Sequence, residues 1–245
     1  MTGVPLLTLT FADVTVAQAA RRIAGRPADA AFAYVVTPNA DHLVRISRNA
    51  ELAAIYRRAW LCLLDSRVVA GLARSLGLSA PSVVTGSDLT RFLLEHCVRS
   101  GEAVTVIGLS PRWLQVIVDR FGLGIVHHHE PPMGFDRDPL TFTAAVNFVR
   151  THPARLVFLA VGSPRQEHLA AAIAAAGDAT GTGLCIGASL EFLAGARRRA
   201  PLFMQRLGLE WLFRLASDPR RMFRRYLVDS PVVIALLMRQ RLAGG

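Results

Sequence analysis

The chain has 245 residues, 52% of them hydrophobic, with a mean hydropathy of +0.35, which excludes intrinsic disorder and requires a sizeable buried core. Three cysteines, Cys62, Cys97 and Cys185, lack any C-x-x-C spacing, so neither a disulfide framework nor a thiolate zinc site is expected. The net charge of +10 is unevenly spread: over residues 196–245 eleven Arg face Glu210, Asp218 and Asp229, which gives +8 there and +2 elsewhere. The sequence has no Lys, and the planar guanidinium of Arg suits bidentate contact with phosphate. A GC-rich genome accounts for Arg in place of Lys but not for its clustering.

Residues 1–20 carry no basic start and no long apolar stretch, so no secretory signal is expected. A strand or hairpin is expected over 6–11. Short apolar runs bounded by turn residues then predict strands over 31–36, 59–64, 103–107, 123–127, 156–161 and 183–186. Helical periodicity falls between them, over 41–58, 67–76, 87–99, 111–121, 140–150, 164–176 and 190–194. The alternation predicts an α/β fold, a doubly wound, Rossmann-like, mostly parallel sheet over residues 1–195, with a basic helical C-terminal appendage over 196–245. The apolar stretch 231–238 is far shorter than the roughly 20 residues a spanning helix needs.

Ligands of such sheets bind beyond the carboxyl ends of the strands. The segments expected there are polar or small: Thr37-Pro38-Asn39, Asp65-Ser66-Arg67, Gly108-Leu109-Ser110-Pro111, the turn from Gly162 to Glu167, and Gly187-Ala188-Ser189. Ser163-Pro164 with Glu167 reads as an N-cap, a first-turn proline and an early acid, and Ser110-Pro111 is similar. A helix start facing a cleft favours phosphate. Neither G-x-G-x-x-G nor G-x-x-x-x-G-K-[ST] occurs, which leaves the common dinucleotide and Walker-type cradles unsupported.

Asp65 closes an apolar run, so it is either a general base at the strand end or the cap of the next helix. Thr37 and Asn39 flank a rigid proline and either bond sugar hydroxyls or tie the turn. His127-His128-His129 on a strand point to opposite faces and cannot all ligate one metal ion. Asp136-Arg137-Asp138 spells D-x-D, a metal-holding pattern of many nucleotide-sugar enzymes, but it lies in a loop with an Arg between the acids and reads as a solvated turn. In the last fifth, Phe203, Leu207, Trp211, Leu212 and Leu215 form an apolar helical stripe. A second helix is expected over 231–242, ending in Arg239 and Arg241. Basic residues interleaved with large apolar ones fit an anionic membrane surface, a nucleic-acid patch or a helix pair packed on the core.

Taken in order, Thr37-Pro38-Asn39-Ala40-Asp41-His42, Asp65, Thr85-Gly86-Ser87-Asp88-Leu89, Pro131-Pro132-Met133-Gly134-Phe135, Val161-Gly162-Ser163-Pro164-Arg165-Gln166-Glu167 and Arg199-Ala200-Pro201 resemble the WecG/TagA/CpsF glycosyltransferase family. Gly208-Leu209-Glu210-Trp211, Arg214, Pro219-Arg220-Arg221 and Arg225-Tyr226-Leu227 extend the likeness, which runs from about residue 31 to 227. The resemblance implies an inverting, metal-independent UDP-sugar-dependent hexosyltransferase with no cofactor. It would move N-acetylmannosamine, its uronic acid or glucose to a polyprenyl-diphosphate-linked sugar in cell-surface polysaccharide, such as exopolysaccharide, biosynthesis. It places the chain peripherally on the inner face of the cytoplasmic membrane, with no nucleic-acid partner and a homo-oligomer left open.

By the same likeness the catalytic base is Asp65. Substrate contacts fall on Thr37, Asn39, Arg67, Gly108, Gly162, Gln166 and Glu191. Arg214, Arg221, Arg224 and Arg225 of the appendage hold the acceptor pyrophosphate and the membrane while completing the active site. Three positions depart from the family pattern. Ser66 stands where Gly is frequent, Val83 stands where an Arg is common, so that Arg67 or Arg91 must replace it, and Glu191 provides a longer acid than the usual Asp. The rival reading is a non-enzymatic protein that binds nucleic acid or anionic membrane through its basic tail.

Overall fold

The computed structural model describes residues 3–196, 204 and 230–243. It opens with an antiparallel hairpin, β1 (Gly3–Leu6) and β2 (Leu9–Ala12), where the alternating apolar residues Leu6, Leu9 and Phe11 point into the core. Helix α1 (Val16–Ala24) follows in a segment where the sequence analysis places no helix. Its start is a capping box: Thr15 Oγ1 accepts from the Gln18 amide at 3.3 Å and Gln18 Oε1 from the Thr15 amide at 2.8 Å.

The main body is a six-stranded, all-parallel sheet in the order β4-β3-β8-β7-β5-β6. Its strands are β3 (Ala33–Val36), β4 (Leu61–Cys62), β5 (Ala103–Gly108), β6 (Ile125–His129), β7 (Leu156–Ala160) and β8 (Thr182–Cys185). All six lie within or beside the predicted runs. Strand β6 starts two residues later than expected and takes in the whole His tract, because Val104 to Ile107 of β5 pair with Val126 to His129. An isolated bridge between Leu64 and Val83 carries the sheet edge past β4 towards Asp65.

Helices α2 (Ala40–Arg48) and α3 (Ala50–Arg58) replace the single helix expected over 41–58. Asn49 separates them: its extended backbone closes α2 while its Oδ1 accepts from Leu52 N at 2.9 Å and opens α3. The others are α4 (Arg67–Ser75), α5 (Gly86–His96), α6 (Pro111–Phe121), α7 (Pro139–Thr151), α8 (Arg165–Ala176), α9 (Ser189–Leu193) and α10 (Ser230–Ala243). One face of the sheet packs on α2, α3, α4, α7, α8 and the hairpin, the other on α1, α5, α6 and α9. Helix α10 adds Val233 and Leu237 to the first of these cores, and Gln240 Oε1 accepts from the Leu7 amide at 2.7 Å.

The chirality of parallel connections explains the layering. After β5 the chain moves outward to β6 through α6 on one face. After β7 it moves the other way to β8 through α8 on the opposite face. The loops leaving β5 and β7 therefore diverge, as do those leaving β3 and β8, and each divergence opens a crevice at the carboxyl edge.

Candidate active site

Asp65 stands where β4 ends. Its amide donates to Pro38 O at 3.0 Å, which ties it to the loop after β3, and its Oδ2 accepts from Gly86 N at 3.0 Å. Asp65 is therefore held by the first amide of α5 and does not cap α4. That helix is capped by Ser66, whose Oγ accepts from Val69 N at 3.2 Å. Ser66 has φ −157° and ψ 107°, ordinary extended backbone, so the position makes no demand for glycine.

Gly86 was absent from the expected site residues. Beyond holding Asp65, it sits where a side chain would crowd its neighbours: a Cβ there would lie 3.1 Å from Ser189 Oγ and 3.2 Å from Thr37 Oγ1. Thr85 caps the same helix by accepting from Asp88 N at 3.1 Å. The signal in the sequence was Thr85-Gly86-Ser87-Asp88, a capped helix start containing one side-chain-free position.

Thr37 is buried and donates to Cys185 O at 3.2 Å, joining the ends of β3 and β8. Asn39 caps α2, its Oδ1 accepting from Asp41 N at 3.1 Å and His42 N at 3.3 Å. Gln166 is 1% exposed and used at both ends: Nε2 donates to Glu167 and Oε1 accepts from Gly187 N at 2.7 Å. Thr37, Asn39, Asp65, Gln166 and the start of α9, which carries half-buried Glu191, thus gather around the crevice between β3 and β8.

The second crevice lies between β5 and β7. Gly108 has φ +89°, and a Cβ on it would meet Ala160 O and Val161 Cγ1 at 2.9 Å, so the two strand ends close on a glycine. Leu109 follows with φ +64°, a left-handed backbone that costs a side-chain-bearing residue roughly 1–2 kcal/mol. His128 clamps this turn, its Nε2 donating to Gly108 O at 3.1 Å and Leu109 O at 2.9 Å. His127 and His129 lie on the other face, against His152 and Phe148 respectively. Burial, with a smaller contribution from His128, pulls His129 below the usual histidine range.

Across the crevice, Gly162 O accepts from Gln166 N at 3.0 Å. The expected Ser163 cap does not form: Pro164 occupies the cap position, the helix starts at Arg165, and Ser163 Oγ makes no hydrogen bond. Ser110 is the cap residue of α6, with Pro111 in the first turn, but its side chain also makes no capping bond. Arg67 is exposed at the first position of α4, and Arg91 is half-exposed beside Asp88. Val83 lies next to Leu64, one residue from Asp65, and packs partly buried on the core, so a hydrophobic side chain stands where the family pattern has an Arg.

The D-x-D segment resolves into a short 3₁₀ turn (Phe135–Arg137) and a helix cap. Asp138 Oδ1 accepts from Leu140 N at 3.1 Å, while Oδ2 accepts from Thr141 N at 3.3 Å and Thr141 Oγ1 at 2.9 Å. These bonds hold its carboxyl below the usual range. Among the described residues no cluster of three or more His, Cys, Asp or Glu could hold a metal ion. Arg214, Arg221, Arg224 and Arg225 lie outside the described residues.

The crevice between β3 and β8, with the oriented carboxylate of Asp65 on one side and the turn from Gly162 into α8 on the other, suits the deprotonation of a hydroxyl beside an anionic leaving group. The sequence matches the model of the WecG/TagA/CpsF glycosyl transferase family over residues 4–245, and the chain belongs to this family of glycosyltransferases of cell-surface polysaccharide synthesis.

Proposed function

We propose that the protein transfers a sugar from a UDP-sugar to a polyprenyl-diphosphate-linked sugar by single displacement with inversion, with Asp65 as the base. The observation that supports this most directly is the carboxylate of Asp65 at the end of β4, oriented through Oδ2 by the Gly86 amide. Asp65 takes the proton of the acceptor hydroxyl as its oxygen attacks the anomeric carbon. The bond from that carbon to the UDP oxygen breaks on the opposite face, and UDP carries the electron pair away.

The leaving diphosphate departs from that same carbon and so belongs on the Asp65 side of the sheet edge, between the crevice of β3 and β8 and the turn from Gly162 to Glu167. Guanidinium groups of the Arg-rich segment and the positive end of α8 offset its charge, and no metal ion is required. Arg67 and Glu191 flank the sugar, and the Arg-rich segment carrying Arg214, Arg221, Arg224 and Arg225 holds the acceptor pyrophosphate. N-acetylmannosamine, its uronic acid and glucose are the candidate donor sugars.

Docking on the inner face of the cytoplasmic membrane is part of this proposal, and α10 supports it. Ile234, Met238 and Leu242 are exposed at four-residue spacing, with exposed Arg239 and Arg241 beside them. Among the described residues no helix is long and apolar enough to cross a membrane.

The test is a panel of UDP-sugars with a short-chain polyprenyl-diphosphate-sugar acceptor, the product anomer being read by proton NMR. One donor giving a product of inverted anomeric configuration supports the proposal. A retained configuration overturns single displacement, and acceptor-independent salt-sensitive nucleic-acid binding without turnover favours the rival reading.

A further inference from the structure

Among the described residues Glu167, on α8, is the only buried acid, at 1% exposed, and no basic side chain pairs with it. Its Oε1 accepts from Tyr56 Oη at 2.9 Å and from Gln166 Nε2 at 2.8 Å, while its Oε2 has no hydrogen-bond partner. Tyr56, on α3, is also 1% exposed. Its single proton goes to Glu167, so its 3.2 Å contact with His42 Nδ1 uses a proton on the imidazole. The groups facing Glu167 are thus Tyr56, Cys185 of β8 and Ser163 of the loop after β7, with His42 of α2 reaching it only through Tyr56. Arg45, also on α2, directs its guanidinium to Ser163 O and to Asp41.

The bonds continue outward. Gln166 is oriented from both ends, with its amide nitrogen on Glu167 and its oxygen on Gly187 N. Gly187 opens the 187–189 turn, whose Ser189 Oγ donates to Ile186 O at 2.5 Å and backs onto Gly86. Gly86 in turn holds Asp65.

We propose that Glu167 and Tyr56 are positioning residues, Glu167 serving as a neutral acceptor that fixes the Gln166 carboxamide and, through it, the 187–189 turn against which Gly86 holds Asp65. An ionised carboxylate so deeply buried beside only neutral donors would lose its hydration without a compensating charge. Burial accordingly pushes Glu167 above the usual carboxylate range and Tyr56 well above the usual phenol range. The role assigned to this network rests on the reading of Asp65 as the base.

The experiment compares Glu167→Gln, Glu167→Leu and Tyr56→Phe in the full-length protein. The readouts are kcat and KM for the donor, the pH profile of kcat/KM, and the exchange rate of the Gly187 amide measured without substrate. Glu167→Gln keeps an acceptor oxygen and no charge, so kcat within about threefold of wild type, an unchanged pH profile and a protected Gly187 amide are expected. Glu167→Leu keeps the bulk but no acceptor: a fall of about tenfold or more in kcat per folded molecule, little change in KM and faster Gly187 exchange are expected.

If Glu167→Leu does not fold, Tyr56→Phe takes its place with a loss of about threefold to tenfold. Unchanged kcat and Gly187 exchange in that variant, or in folded Glu167→Leu, overturn the proposal. Impairment of Glu167→Gln equal to that of Glu167→Leu also overturns it, by showing that the charge is needed. Full activity of Asp65→Ala would instead remove the base assignment, and the substrate-free exchange of Gly187 would still decide whether Glu167 sets the turn.

Discussion

The two ends of the sheet bury ionisable side chains in opposite ways. At the amino end Arg155 is 5% exposed and every nitrogen of its guanidinium is used: Nε and Nη2 bond Glu102 at 2.5 and 2.6 Å, Nη1 bonds Ala24 O at 2.5 Å, and Nη2 bonds Cys97 O at 2.7 Å. A cation thereby meets the carbonyl ends of α1 and α5 together with a carboxylate, which is the arrangement helix C-termini favour. At the carboxyl end Glu167 has neutral donors alone. The first arrangement closes a structure, and the second keeps a costly group beside the proposed active site, where departures from full satisfaction are expected.

The largest effect that would break this contrast is on stability. Arg155→Met leaves the partly buried Glu102 without its cation and the Ala24 and Cys97 carbonyls without their donor, and is expected to cost about 3–5 kcal/mol. That corresponds to a Tm lower by roughly 6–20 °C for a chain of this size, with kcat per folded molecule unchanged. Equal losses of stability and of specific activity would show that the two ends are not separate in function.

The next effect is in the pH dependence of stability. For Glu102, burial pulls the pKa up, but the Arg155 bonds, the Arg99 amide and the charges of both arginines outweigh it, and the net direction is below the ordinary 4.5. Its stabilisation is present above 4.5 and is lost as pH falls through the lowered value. Glu167 has the opposite sign. Its native value is raised, the native state keeps a proton the unfolded state releases, and stability declines as pH climbs from 4.5 towards the raised value. Tm measured from pH 3 to 9 should therefore flatten on the acid side in Glu102→Gln and on the neutral side in Glu167→Gln. The same side flattening in both variants would contradict the assignment.

The smallest effect sharpens the site. Ser66→Gly removes the cap of α4 and is expected to cost only a few tenths of a kcal/mol, with transfer unchanged. A large change in transfer would give the Ser66 hydroxyl a role at the substrate.

The sheet could be read from the sequence because parallel strands buried on both faces appear as unbroken apolar runs, and Asp65 stood out at the end of one. Helix α1 escaped notice although Thr15 and Gln18 spell its capping box. The pairing of Tyr56 with Glu167 could not be read, since it joins residues 111 apart. A local sign of it did exist. Gln166 precedes Leu169, Ala170 and Ile173 by three, four and seven residues, so the polar pair starts on the buried stripe of α8 and not on its outer face. Glu167 read as an ordinary first-turn acid because helix-start chemistry and burial favour the same residue type at that position.

The most direct test of the account is acceptor-dependent UDP release by wild type and Asp65→Ala, with EDTA present throughout. Release with one donor is expected in wild type, unaffected by EDTA, with a loss of about 10²–10⁴-fold in Asp65→Ala and its Tm retained. Undiminished release by folded Asp65→Ala would contradict it.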